Sequence, residues 1–237
     1  AAAQRSETRQ KLLRLKGFGQ IVVRAAVKSL HAVKHTVIPD RIEAGTFMAA
    51  AAITGGDILL ENVQEEHLKP VIAKLAECNV KTEMTAEGLR IYRKGNLRPL
   101  QLKTMPYPGF PTDMHPQISA LLATAEGTSL VTESVWENRF RYVDELIKMN
   151  ANITVDGRTA TIVGVPKLTG APVKAVDLRA GAAMIIAGLS AEGLTEISKV
   201  ESIERGYDDI VGKLASLGAD IKLVDVPDEE SAQPKAN

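Results

Sequence analysis

Cysteine is almost missing from this chain: Cys78 is the only one, so no internal disulfide can form. With no signal-peptide pattern at its start, the chain is expected in a reducing cytoplasm. Long apolar runs are missing as well. The two longest, residues 47–53 and 182–189, fall far short of the ~20 residues of a membrane-spanning helix, so both read as buried core helices and no membrane partner is expected. A charge of one sign is absent: Lys+Arg and Asp+Glu both number 29, which leaves no overall field to draw the chain to nucleic acid or an anionic membrane. Any charge-based function must be local. HExxH, paired CxxC, GxxxxGK[ST] and GxGxxG motifs do not occur, and Gly17-Phe18-Gly19 is too short for a phosphate cradle. His31 and His35 fall in an expected strand or loop and read as solvated or packed, so neither a metal nor an organic cofactor is expected.

What is present is self-similarity. Hydrophobic residues at 45% give the 237-residue chain enough apolar surface for a core, and a threefold repeat organises it. Three segments start at Asp40, Asp113 and Asp177. Each runs through a small-residue helix, a Gly-containing turn, a strand, a second helix and a final strand. Gly56, Gly127 and Gly193 are expected to close the first helices, and Leu75, Leu146 and Leu214 share one core position of the second. Ile72, Leu75 and Cys78, with their counterparts 143, 146, 149 and 211, 214, 217, put apolar side chains on one helix face. The Ala-, Met- and Ile-rich first helices lack a polar face and should be buried on nearly all sides. This pattern predicts an α/β fold of three repeats, at about 33–100, 101–170 and 171–227 of a domain spanning 31–227. Residues 1–30 stand apart. The basic stretch 1–19 reads as a loose arm or an amphipathic helix, 20–26 as a possible edge strand, and 228–237 as a polar tail.

The candidate chemistry lies in the aspartates and arginines. Asp40, Asp113 and Asp177 each precede a helix, where a carboxylate commonly caps backbone N–H groups, and Asp40 with Glu43 matches the D-x-x-E capping pattern. Asp113 differs in context. Pro106, Pro108, Gly109 and Pro111 precede it, a stiff bend costly to build merely to cap a helix, and Pro116 fits only a first helical turn. Arg41, Arg139, Arg179 and Arg205 fall near equivalent ends of the repeats, either in solvated salt bridges or converging on an anion.

At these residues the sequence resembles the UDP-N-acetylglucosamine 1-carboxyvinyltransferase family. The matching stretches are HTVIPDRIEAGTF (35–47), YPGFPTDMHPQ (107–117), TESVWENRF (132–140), VDLRAG (176–181) and IERGYDDI (203–210). The resemblance implies an inside-out α/β barrel, with helices packed inside sheets from three related units. It also implies transfer of the enolpyruvyl group of phosphoenolpyruvate to the sugar 3-hydroxyl in peptidoglycan synthesis, without a metal or organic cofactor. By resemblance Asp113 acts on that hydroxyl, Val135 and Trp136 lie along the sugar, and Arg205 binds the phosphoenolpyruvate carboxylate or phosphate region. Asp40, Arg139, Asp177 and Arg179 match polar positions around the cleft.

Members of that family carry a second, similar domain with a lysine–asparagine pair and a loop bearing a reactive cysteine. Cys78 matches no part of that loop and reads as core filler. The chain is therefore expected to be one lobe, inactive alone, that works with the missing lobe in cis or in trans. Surface normally covered by that lobe would favour a homo-oligomer. Two alternatives stay open: a non-catalytic ligand- or partner-binding module that kept the fold, or a lobe of the sister 3-phosphoshikimate 1-carboxyvinyltransferase type.

Overall fold

The structure is a computed structural model that describes residues 38–227 and the backbone of 9–16. The possible strand at 20–26, His31, His35 and the tail 228–237 lie outside the described residues. The repeat appears as three units. The first comprises α1 (Arg41–Thr54), β2 (Asp57–Leu60), α2 (Glu65–Glu77), β3 (Val80–Met84) and β4 (Leu89–Arg93); β1 (Arg9–Lys16) precedes it. In the second, β5 (Gln101–Lys103) leads through a 3₁₀ turn at Thr112–Met114 into α3 (His115–Leu122). β6 (Thr128–Thr132), a 3₁₀ turn at Arg139–Tyr142, α4 (Val143–Lys148), β7 (Asn152–Asp156) and β8 (Thr159–Val163) complete it. The third comprises β9 (Pro172–Lys174), α5 (Leu178–Ser190), β10 (Leu194–Ser198), α6 (Glu201–Glu204), α7 (Ile210–Ser216) and β11 (Asp220–Pro227).

The helices α1, α3 and α5 pack on one another. Ala49, Ala120 and Ala183 are fully buried, as are Met48, Leu121 and Met184. Small residues let the three axes approach, while each buried large side chain contributes about 1.5–3 kcal/mol. The strands hydrogen-bond into three separate sheets, β2-β4-β3, β5-β6-β8-β7 and β11-β1-β10-β9. Among the described residues each unit thus contributes a sheet of its own, and the three do not join by hydrogen bonds.

The second helices follow the predicted pattern. Leu75, Leu146 and Leu214 are buried, and each helix is followed by a residue in the left-handed region: Asn79 (φ 70), Asn150 (φ 67) and Gly218 (φ 90). Asparagine and glycine tolerate this conformation, which turns the chain into the next strand. The first helices end differently from expectation. Gly55 (φ 72) closes α1, whereas Ala123 and Ala191 end α3 and α5; Gly127 and Gly193 lie in the turns before β6 and β10. Within residues 1–19, expected to be a loose arm or an amphipathic helix, the described stretch 9–16 is a strand. Residues 9–16 form β1, antiparallel to both β10 and β11. Its place between them matches that of β8 between β6 and β7, and of β4 between β2 and β3. In the third unit the strand in that middle place comes from ahead of the first unit in the sequence, and backbone pairing outweighs local helix preference.

Candidate functional site

The N-terminal ends of α1 and α5 are capped as the local sequence implies. The Asp40 carboxylate accepts from the Ile42 N–H at 2.7 Å, and the Asp177 carboxylate accepts from the Ala180 N–H at 2.8 Å. Asp113 breaks the series. It sits inside the 3₁₀ turn, Met114 occupies the cap position of α3 without a side-chain bond, and Pro116 fills the first turn. The Asp113 carboxylate is thereby left for other partners. Its stiff approach is folded back on itself, with Met105 N–H donating to the Phe110 carbonyl and Gly109 N–H to the Pro106 carbonyl. Gly45 on α1 lets this turn settle: a Cβ there would lie 2.7 Å from the Met114 sulfur.

Two arginines hold Asp113. Arg139 Nη2 donates to Oδ1 at 3.0 Å, and Arg179 donates to Oδ2 through Nε and Nη2 at 3.3 and 3.2 Å. The carboxylate is 42% exposed but the guanidiniums only 12% and 15%, so the acid faces the opening with the cations beside it. Arg179 also lies over the Tyr207 ring, 5.6 Å from its centroid. Burial alone would lower the Arg179 pKa, but Tyr207, Asp113 and Asp40 more than offset this and raise it, so the side chain stays cationic. Tyr207 is fixed in turn by Thr46 Oγ1 at 3.0 Å and by Gln117 Nε2 at 3.3 Å. One polar knot therefore joins all three units beneath the site. Arg41 lies over the Tyr107 ring at 4.9 Å. Arg41 Nη1, Arg139 Nε and Arg179 Nη1 are all buried without a protein acceptor. A buried unsatisfied donor costs about 1–3 kcal/mol, so three of them leave an unmet demand for acceptor oxygens.

Arg205 ends α6 with an exposed side chain, and Arg179 is the third-unit guanidinium that reaches Asp113. Val135 and Trp136 stand exposed on the turn after β6, at 42% and 60%.

Reasoning from sequence missed Glu133. The alternation along β6 could have found it, because Ser129, Val131 and Glu133 share the buried face. Burial alone would raise the Glu133 pKa; hydrogen bonds from Thr104, Thr112 and the Trp136 and Val135 N–H groups outweigh that and hold it below the usual carboxylate value. His115 was missed too. It is buried, lies edge-on to Phe140, and its Nδ1 is 3.2 Å from the Tyr142 hydroxyl. Burial, aided by Arg139 and opposed by Glu133, pushes its pKa down to about 4.

A titration prediction follows from His115. An unfolded histidine titrates near ~6.5, so between that value and about 4 the unfolded chain binds a proton that the native chain refuses. Stability is therefore full above the unfolded pKa and falls as the pH drops through this window, by roughly 3 kcal/mol in total. Melting temperatures measured from neutral to acid pH should show this decline. His115→Gln, which can still bond Tyr142 but cannot titrate there, should flatten it; an unchanged slope would show that another group is responsible.

Among the described residues a cavity of about 1000 Å³ lies at the other ends of these helices, beside Thr54, Thr124 and Ser190, so cavity size alone would misplace the site. Cys78 is buried at the end of α2, and burial pushes its thiol up to about 12, too high for a reactive thiolate. Among the described residues no three His, Cys, Asp or Glu side chains are grouped to hold a metal, and no helix is long and apolar enough to cross a membrane.

Comparison with known proteins gives concordant matches. A family model described as EPSP synthase (3-phosphoshikimate 1-carboxyvinyltransferase) matches residues 15–214. A UDP-N-acetylglucosamine 1-carboxyvinyltransferase of Caldanaerobacter subterraneus is 54% identical over 208 residues, which are 87% of this chain and 50% of the relative. One from Halalkalibacterium halodurans is 53% identical over 212 residues, 89% of this chain and 48% of the relative. The chain thus spans about half the length of the relatives it matches. Among solved structures, the enolpyruvyl transferase NikO of Streptomyces tendae aligns at TM-score 0.74 and 30% identity, over 81% of this chain and 46% of that one. The EPSP synthase of Acinetobacter baumannii shares the fold, at TM-score 0.62 and 21% identity, over 77% of this chain and 46% of that one.

Proposed function

Because this chain belongs to the EPSP synthase family of carboxyvinyltransferases, we propose that it is one lobe of an enzyme that moves the enolpyruvyl group of phosphoenolpyruvate onto the 3-hydroxyl of UDP-N-acetylglucosamine, releasing phosphate, in peptidoglycan synthesis. The observation that carries this reading is the freed Asp113 carboxylate, held between Arg139 and Arg179 at the mouth of the site. A sugar hydroxyl is a weak nucleophile, and a fixed carboxylate that takes its proton as the new C–O bond forms contributes about 10²–10⁴-fold. The two arginines bind and orient; guanidinium groups do not give up protons and cannot serve as the base. The guanidinium groups of Arg41, Arg139 and Arg179 suit the acid and phosphate oxygens of phosphoenolpyruvate, and Arg205 by resemblance binds the same region. Asp40 and Asp177 cap helices and act by fixing the ends of α1 and α5 around the cleft. Val135 and Trp136 line the sugar.

The UDP-sugar reading is favoured over the 3-phosphoshikimate one by relatives above 50% identity that carry the UDP-N-acetylglucosamine name. Exposed Ile38, Met105 and Tyr107 are apolar groups that the half of the relatives not spanned by this chain would cover, and which could otherwise pair two copies. The test mixes this chain with that half of the Caldanaerobacter relative and measures phosphate release from phosphoenolpyruvate with UDP-N-acetylglucosamine. Release from the mixture, with little from either part, is the expected result. A mixture that forms a complex and binds both substrates without turnover would leave a binding module as the better account.

A further inference from the structure

We propose that Glu133 is a positioning residue that leaves the turn at 134–136 no free backbone donor and ties it to the turn bearing Asp113. This rests on the transferase reading above and deepens it by assigning the two edges of the site to different parts of the substrates.

Glu133 is 1% exposed, and every contact of its carboxylate points inward. Oε1 accepts from Thr104 Oγ1 at 2.7 Å, from the Val135 N–H at 2.7 Å and from the Trp136 N–H at 3.0 Å. Oε2 accepts from Thr112 Oγ1 at 2.7 Å, one residue before Asp113. Thr104 Oγ1 in turn accepts from the Ser134 N–H at 2.9 Å. Three successive backbone donors are thereby consumed inside the protein. Carbonyl oxygens and the side chains of Val135 and Trp136 are what this turn has left for a ligand. Such an edge suits hydroxyl and amide N–H groups of a sugar, and it offers a phosphate no backbone donor. The opposite holds at Arg41, Arg139 and Arg179, whose free N–H groups need acceptors. Glu133 thus sets a polarity across the site, sugar on one edge and acid or phosphate on the other. The Thr112 bond fixes the spacing between the sugar edge and Asp113.

The test uses Trp136, the sole tryptophan, as a fluorescent reporter in the 237-residue chain. UDP-N-acetylglucosamine and phosphoenolpyruvate are titrated separately into the unaltered chain, Glu133→Ala and Glu133→Gln. Glutamine keeps one oxygen for the three donors on Oε1 and can donate its amide to the Thr112 hydroxyl, so it should preserve the turn. Expected are a loss of about tenfold or more in sugar affinity for Glu133→Ala, a change within about threefold for Glu133→Gln, and unchanged phosphoenolpyruvate affinity in both. Amide exchange at Val135 and Trp136, measured without ligand, should accelerate in Glu133→Ala alone. If that variant fails to fold, Thr112→Val and Thr104→Val each remove one tie and should weaken sugar binding selectively. Equal sugar binding by Glu133→Ala and the unaltered chain, or equal losses for both ligands, overturns the positioning role. An unaltered chain that binds no UDP-sugar overturns the parent reading, and slow exchange in Glu133→Ala would then overturn the assignment of the turn as well.

Discussion

Replacing Asp113 by asparagine is expected to lower enolpyruvyl transfer about 10²–10⁴-fold in the mixture of this chain with the remaining half of a relative. The substitution keeps the shape and one carbonyl oxygen, so Arg139 or Arg179 retains an acceptor and the other loses its partner. The amide has no site for the sugar proton. Substrate affinity, followed through Trp136 fluorescence, should therefore change far less than turnover, because binding draws on the arginines and on the 134–136 turn. This split separates a base from a residue that only shapes the pocket. Phosphate release under saturating substrates reads the turnover term. A loss below about tenfold would remove Asp113 from the proton transfer and leave it as a clamp for its two arginines.

The second large effect concerns the fold. Gly164→Ala is expected to destabilise the chain by about 3–5 kcal/mol, at the severe end for a single substitution. A Cβ at this position would lie 1.6 Å from the Ala125 carbonyl oxygen and 2.6 Å from its carbon, which are backbone atoms with no rotamer to give way. The strand leaving β8 crosses the end of α3 here, with the Gly164 N–H on the Gly127 carbonyl at 2.9 Å and the Val165 N–H on the Ala123 carbonyl at 2.8 Å. An added methyl must therefore push the second sheet off the central helices. Gly157 is the control. Its φ is +55 and nothing lies within 4 Å of its Cβ position, so alanine there pays only the left-handed conformational cost of roughly 1–2 kcal/mol. Urea unfolding of both variants gives the comparison, and equal losses would show that the crossing has room to spare.

The repeat was legible because hydrophobic periodicity and helix-ending residues are local. Leu75, Leu146 and Leu214 were identified as core from spacing alone, and the apolar runs at 47–53 and 182–189 are indeed buried parts of α1 and α5. The caps at Asp40 and Asp177 were equally local. Glycines were less informative: Gly127 and Gly193 stood at repeat-equivalent positions yet lie in turns past the helix ends. A helix end depends on which carbonyls find partners, and that extends beyond a window of a few residues.

By itself, the order of residues determined the three α/β units, the buried first helices and the singular setting of Asp113, since each rests on contacts between near neighbours in the chain. Tertiary structure decided the rest: that β1 completes the third sheet, that Arg139 and Arg179 meet Asp113, and that Glu133 joins two turns. Those contacts link residues far apart in sequence, where hydrogen-bond geometry and burial select the partner and no local pattern records the choice.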